Sequence, residues 1–158
     1  GYDPDTLRRD PERMGGLHEK MYDGAVKASV YLDSYIDQVA AHHHLKPARI
    51  ALIGFSQGTM MALHVGLRRE KQIGGILGYS GALTGADTLA AEIKSKPPVA
   101  LVHGDADPVI PYEALAAAEK DLASIGILVE SHSVRGLQHG IDAEAAQFGA
   151  TFLHKVIG

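Results

Sequence analysis

A serine hydroxyl attacks an ester only when a base takes its proton and an acid orients that base. Three stretches of this chain hold residues of those types in a usable order. The first is Gly54-Phe55-Ser56-Gln57-Gly58, a G-x-S-x-G pattern. The apolar run Arg49 to Ile53 precedes it, and a helical pattern from Gln57 to Arg69 follows. Those flanks are what a nucleophile elbow needs: a sharp strand-to-helix turn that holds Ser56 in a strained backbone conformation at the sheet's carboxyl edge. Glycines at 54 and 58 are expected to let neighbouring backbone approach with no Cβ in the way. The start of the helix leaves N–H groups free, and that of Gln57 is placed to donate to an oxyanion.

The second stretch, His103-Gly104-Asp105-Ala106-Asp107-Pro108-Val109-Ile110-Pro111, follows another buried-type strand at Pro98 to His103. Its acids therefore fall at the same carboxyl edge, where functional groups gather in open parallel sheets. Asp105 is nearer the strand end, and an Asx-type turn that organises the loop suits it. Asp107 opens a D-x-x-x-P turn and is the expected acid. The third stretch, Arg135-Gly136-Leu137-Gln138-His139-Gly140-Ile141-Asp142, lies between a strand and the last helix. His139 is the expected base. The other histidines compete poorly. His18, His64 and His154 lie in helical patterns, His103 ends a strand, and His132 reads as a packed or surface group.

Strand and helix patterns alternate around these stretches. An apolar face at three- and four-residue steps runs from Leu17 to Ala41 through Met21, Ala25, Ala28, Leu32, Tyr35, Ile36 and Val39. Strands are expected at 49–53, 73–79, 98–103 and 127–132, the first and third buried on both faces. Helices are expected at 57–69, 87–94, 113–124 and 141–156, with Gly126 just past the end of one of them. Residues Gly1 to Gly16, with Pro4, Pro11 and Gly15-Gly16, read as loop. The alternation predicts one α/β domain over 1–158: a mainly parallel sheet with helices on both faces.

Composition narrows the function. The chain has 158 residues, 46% of them hydrophobic and 22% charged, enough apolar material for a core. A formal charge of -4 and no basic stripe argue against nucleic acid. Arg68, Arg69 and Lys71, interrupted by Glu70, read as a solvated helix end. With no cysteine there is neither a disulfide nor a thiol nucleophile. No apolar run reaches the roughly 18 residues of a membrane span. A cytoplasmic location is the expectation. Neither a metal nor another cofactor is expected: His42-His43-His44 are adjacent on a helix end and diverge, where a zinc site gathers spaced ligands.

Taken together, Gly54-Phe55-Ser56-Gln57-Gly58-Thr59-Met60, Gly78-Tyr79-Ser80-Gly81, the His103–Pro111 stretch and Gly136-Leu137-Gln138-His139-Gly140-Ile141 resemble the phospholipase/carboxylesterase family, which includes bacterial carboxylesterases and acyl-protein thioesterases. The resemblance runs in register from about Leu17 to the C-terminus. It implies an α/β-hydrolase fold, a Ser56–Asp107–His139 triad, an oxyanion donor at the Gln57 N–H, and a small-molecule ester or thioester substrate without a cofactor. Phe55 and Met60 are candidates to line the acyl site, with core packing an equal alternative for both. Family members open with further strands and an H-G-x-G-type loop that supplies a second oxyanion donor. No such segment is found here, since Gly15-Gly16 lacks a preceding His and strand, and a start at Gly1 suits a fragment. Three states fit: the segment lies outside this numbered chain, the open sheet edge pairs with a second copy, or the protein is truncated and weakly active.

Overall fold

The structure, a computed structural model, describes residues 11–158, and side chains from Lys20 onward except at positions 21 and 22. The loop expected at Gly1 to Asp10 lies outside the described residues. The first helix among the described residues, α1 (Pro11–His42), begins six residues before Leu17, so the expected loop over Pro11 to Gly16 is corrected. Proline suits a first helical turn, where its missing N–H has no intrahelical role and its fixed φ is already helical. Ala25, Ile36 and Ala40 form its buried face, with Leu32 packed beside them. Tyr35, expected on that face, is exposed instead. His42, His43 and His44 are solvated at its end.

A short 3-10 turn (Pro47–Arg49) leads into β1 (Ala51–Phe55). Then follow α2 (Gln57–Arg68), β2 (Gly75–Tyr79), α3 (Ala86–Glu92), β3 (Val99–Gly104), α4 (Glu113–Ser124), β4 (Val129–Val134) and α5 (Ala143–Ile157). The four strands form one parallel sheet in the order β1-β2-β3-β4. Strand parity divides the core. Ile76, Val99 and Leu101 point to one face, where they pack with Ile36 of α1, Leu63 of α2, Leu89 of α3 and Leu115 of α4. Leu77, Tyr79, Ala100 and Val102 point to the other, beneath Phe152 of α5. The expected parallel sheet with helices on both faces is what forms, and β3 is buried on both faces as expected.

β1 is not. It is an edge strand, and Ile53 is 59% exposed. Its register places Ile53 beside Leu77 and Phe55 beside Tyr79. α5 covers the β2 pair and leaves the β1 pair open. An apolar run reads as buried in sequence, but burial needs a neighbour, and β1 has one on a single side among the described residues.

The basic cluster also departs from expectation. The Arg69 side chain is only 3% exposed. It forks between two carboxylates one helical turn apart on α1, Asp33 Oδ1 and Asp37 Oδ1, each at 2.8 Å. It also donates to the Asp33 and Lys71 carbonyls. The Arg69 carbonyl accepts from buried Ser95. Arg69 is therefore the pin that fastens α1 to the core, because a guanidinium offers a rigid fork of donors that a lysine lacks. Arg68 pairs with Glu92 nearer solvent.

Candidate active site

The turn between β1 and α2 places Ser56 at φ 56°, ψ -116°, a region that costs a non-glycine residue about 1–3 kcal/mol. The surroundings hold it there. Ser56 N donates to the Tyr79 carbonyl at 2.9 Å, and its own carbonyl accepts from Thr59 N at 3.0 Å. Thr59 Oγ1 donates to the same Tyr79 carbonyl at 2.9 Å, so one acceptor at the end of β2 ties down both limbs of the turn. A Cβ on Gly54 would lie 2.5 Å from the backbone of Gly58 and Thr59, so the close approach expected at this glycine is real. The same expectation for Gly58 is corrected: a Cβ there would meet open space. As the first residue of α2, Gln57 has an N–H with no intrahelical acceptor.

The loops that carry the expected acid and the expected base meet at the ends of β3 and β4. Asp107 is buried and uses its two oxygens differently. Oδ1 accepts from Val109 N at 2.8 Å and Ile110 N at 2.9 Å, closing its own loop. Oδ2 lies 2.8 Å from His139 Nδ1. The Asx-type turn expected of Asp105 is thus made by Asp107. Asp105 instead accepts from Gly136 N at 2.7 Å and couples its loop to the base loop. The loops pack so closely that a Cβ on Gly104 would fall 2.0 Å from the Leu137 carbonyl oxygen. That same oxygen takes a hydrogen bond from Ala106 N at 3.0 Å.

His139 is partly exposed, with its ring 4.8 Å from that of Phe55, the residue before Ser56. The elbow and base loop therefore touch through Phe55. Among the described residues, Ser56 makes no side-chain hydrogen bond to His139. Ser80, buried and at φ 51°, contacts the Gly140 carbonyl through its hydroxyl and braces β2 against the base loop. Of the two acyl-site candidates, Phe55 presents 42% of its surface, whereas Met60 is 1% exposed and packed in the core. The helix turns Met60 inward, so only Phe55 keeps surface for a ligand.

Two of the other histidines have partners of their own, and the side chain of His18 lies outside the described residues. His132 pairs with Glu144 at 2.9 Å and stacks on Phe148. His64 lies in α2, and burial first, then Arg68, pushes its pKa below 6.5. Among the described residues no group of three or more His, Asp or Glu side chains is arranged to hold a metal ion, and no helix is long and apolar enough to cross a membrane. Sequence reasoning missed Thr59, Ser80 and His103 as parts of this region. All three lie inside the quoted motifs, and that proximity was the available signal.

A parallel sheet whose first strand turns through a strained serine into a helix defines an α/β-hydrolase fold. The sequence signature described as Phospholipase/Carboxylesterase matches residues 17–157, and the chain belongs to that family. An acyl-protein thioesterase 1 of Gibberella zeae is 32% identical over 98% of this chain and 64% of its own length. One of Emericella nidulans is 29% identical over 99% of this chain and 67% of its own. The crystal structure of esterase PE8 superimposes with a TM-score of 0.85 at 37% identity, over 88% of this chain and 65% of that one. The chain thus spans about two-thirds of the length of the relatives it matches.

Proposed function

We propose that the protein is a serine esterase, with Ser56 as nucleophile, His139 as base and Asp107 as acid. The observation that carries this reading is the 2.8 Å contact between Asp107 Oδ2 and His139 Nδ1, beside a serine held at positive φ. A carboxylate accepting from Nδ1 leaves Nε2 free to take a proton. Ser56 Oγ attacks the acyl carbon of an ester or thioester, and its proton passes to His139 Nε2. The negative charge that develops on the carbonyl oxygen is met by the Gln57 N–H. Collapse breaks the bond to the alcohol or thiol, which leaves with the proton from His139. Water then attacks the acyl-enzyme and gives a proton to His139, which returns it to Ser56 Oγ as the acid departs. Small to medium acyl groups resting on Phe55 are the proposed substrates. Acyl-protein thioesters and lysophospholipids are alternatives, and the proposed setting is the cytoplasm.

The test is hydrolysis of p-nitrophenyl butyrate by wild type and Ser56→Ala, with fluorophosphonate labelling alongside. Loss of both in the variant is expected; unchanged hydrolysis would rule out the assignment. A second reading rests on the open β1 edge with exposed Ile53 and Phe55. In it, the chain is a fragment that acts only after a further strand pairs with that edge, including that of a second copy. Folded monomer that a fluorophosphonate leaves unlabelled, set against labelled dimer, would favour this reading; labelled monomer would dismiss it.

A further inference from the structure

His103 is a buried imidazole for which the proposed chemistry has no use. It stands on β3 in step with Val99 and Leu101, so its side chain enters the apolar face of the sheet and is 1% exposed. Leu101, Leu115 and Ala118 surround the small cavity it lines. A polar group in such a place persists when it has a partner. The partner is the Ile110 carbonyl, 2.9 Å from His103 Nε2. A carbonyl only accepts, so the proton sits on Nε2. That same nitrogen lies 3.4 Å from Asp107 Oδ2, the oxygen facing His139. This is beyond a good hydrogen bond and close enough to act electrostatically.

The loop from Gly104 to Ile110 is thereby closed at both ends of one residue. Ile110 N–H goes to Asp107 Oδ1, and Ile110 C=O receives His103. We infer that His103 is a positioning residue: by clamping Ile110 through Nε2–H, it fixes the Asp107 carboxylate in the orientation that holds His139. The inference rests on the triad reading above. A carboxylate released by even 1 Å would misplace the base, an error that costs roughly 10- to 100-fold in rate.

The experiment compares His103→Gln, which carries a donor to about the reach of Nε2, with His103→Asn, whose donor stops near Nδ1, and with His103→Leu, which has none. Two readouts are taken: kcat and KM on p-nitrophenyl butyrate, and the low-field proton resonance of His139 Nδ1–H, assigned by its absence in His139→Gln. The Gln variant is expected near wild type. The Asn and Leu variants are expected to lose roughly 10- to 100-fold in kcat with KM within about twofold, and to shift or broaden the resonance. If Leu does not fold, the Asn–Gln contrast decides; if hydrolysis is too slow to measure, the resonance decides. An unmoved resonance and rate in Asn, or equal losses in Asn and Gln, would overturn the role of His103. Activity surviving in Ser56→Ala or Asp107→Asn would instead overturn the triad.

Discussion

The sharpest test of the proposed site is Asp107→Asn, because the two oxygens of Asp107 have separable jobs. An asparagine retains one oxygen for the bonds from Val109 N and Ile110 N, so the loop should keep its shape. It turns an NH2 toward His139, where Oδ2 now accepts at 2.8 Å. Two donors cannot face each other, so the imidazole moves its proton to Nε2, the nitrogen that has to receive the serine proton. The wrong tautomer costs about 10⁴ in kcat, or about 5.5 kcal/mol of barrier. Stability should change little. Asp107→Ala provides the contrast: it strands two backbone donors, one of them buried, at about 1–3 kcal/mol each, so it should lose stability as well as rate. Ester hydrolysis and urea unfolding on the three proteins read the two effects separately. Asp105→Asn, which keeps an acceptor for Gly136 N, is the control and should stay near wild type. More than about a tenth of wild-type kcat in Asp107→Asn, or an equal loss in Asp105→Asn, would refute the reasoning.

The other expectations concern stability. Gly54→Ala drives a methyl into the backbone of Gly58 and Thr59 and should cost at least 1–3 kcal/mol by urea unfolding. Gly58→Ala meets open space within a helix and should be neutral or stabilising by up to about 1 kcal/mol. Arg69→Met leaves Asp33 and Asp37 without their shared cation. Both carboxylates reach solvent, so the loss should be about 2 kcal/mol, below that of a fully buried pair, and thermal unfolding measures it. His64 has its folded pKa below 6.5, so the unfolded chain binds the extra proton first. The protein should therefore lose stability as pH falls from 6.5 toward the lowered folded value, and level off below it. Denaturation midpoints across that window should slope less in His64→Leu; an equal slope would exclude this histidine as the cause.

Much of this was readable in the sequence because local and long-range signals agreed. Helix α4 has the predicted bounds, Glu113–Ser124, with Gly126 at φ 85° just beyond them. β3 was legible for the same reason: an unbroken apolar run between loops is what a strand covered on both faces requires. The elbow was legible from five residues and their flanks. What escaped depended on which neighbour a residue finds. Arg69 looks like any cation at a helix end until α1 brings two carboxylates to it. Tyr35 fits the apolar period of α1 yet is 62% exposed among the described residues.

The acid loop is the harder case, because two side-chain roles there depend on each other. In sequence, an Asx turn and a triad acid look like competing roles for two aspartates. In the proposed triad one carboxylate fills both, because its oxygens point in different directions and the turn's donors lock the rotamer that aims the other oxygen at His139. The turn is thus how the acid is oriented, with no additional group needed on Oδ1. The strain at Ser56 is handled in the same way. The Tyr79 carbonyl that completes sheet pairing beyond β1 is also the acceptor that clamps the turn from both sides. β1 itself contributes the weakest support, with one paired side and Ile53 open to solvent. Rigidity at Ser56 therefore comes from β2 and α2, and pairing a further strand on the outer side of β1 should change the setting of Phe55 more than that of the serine backbone.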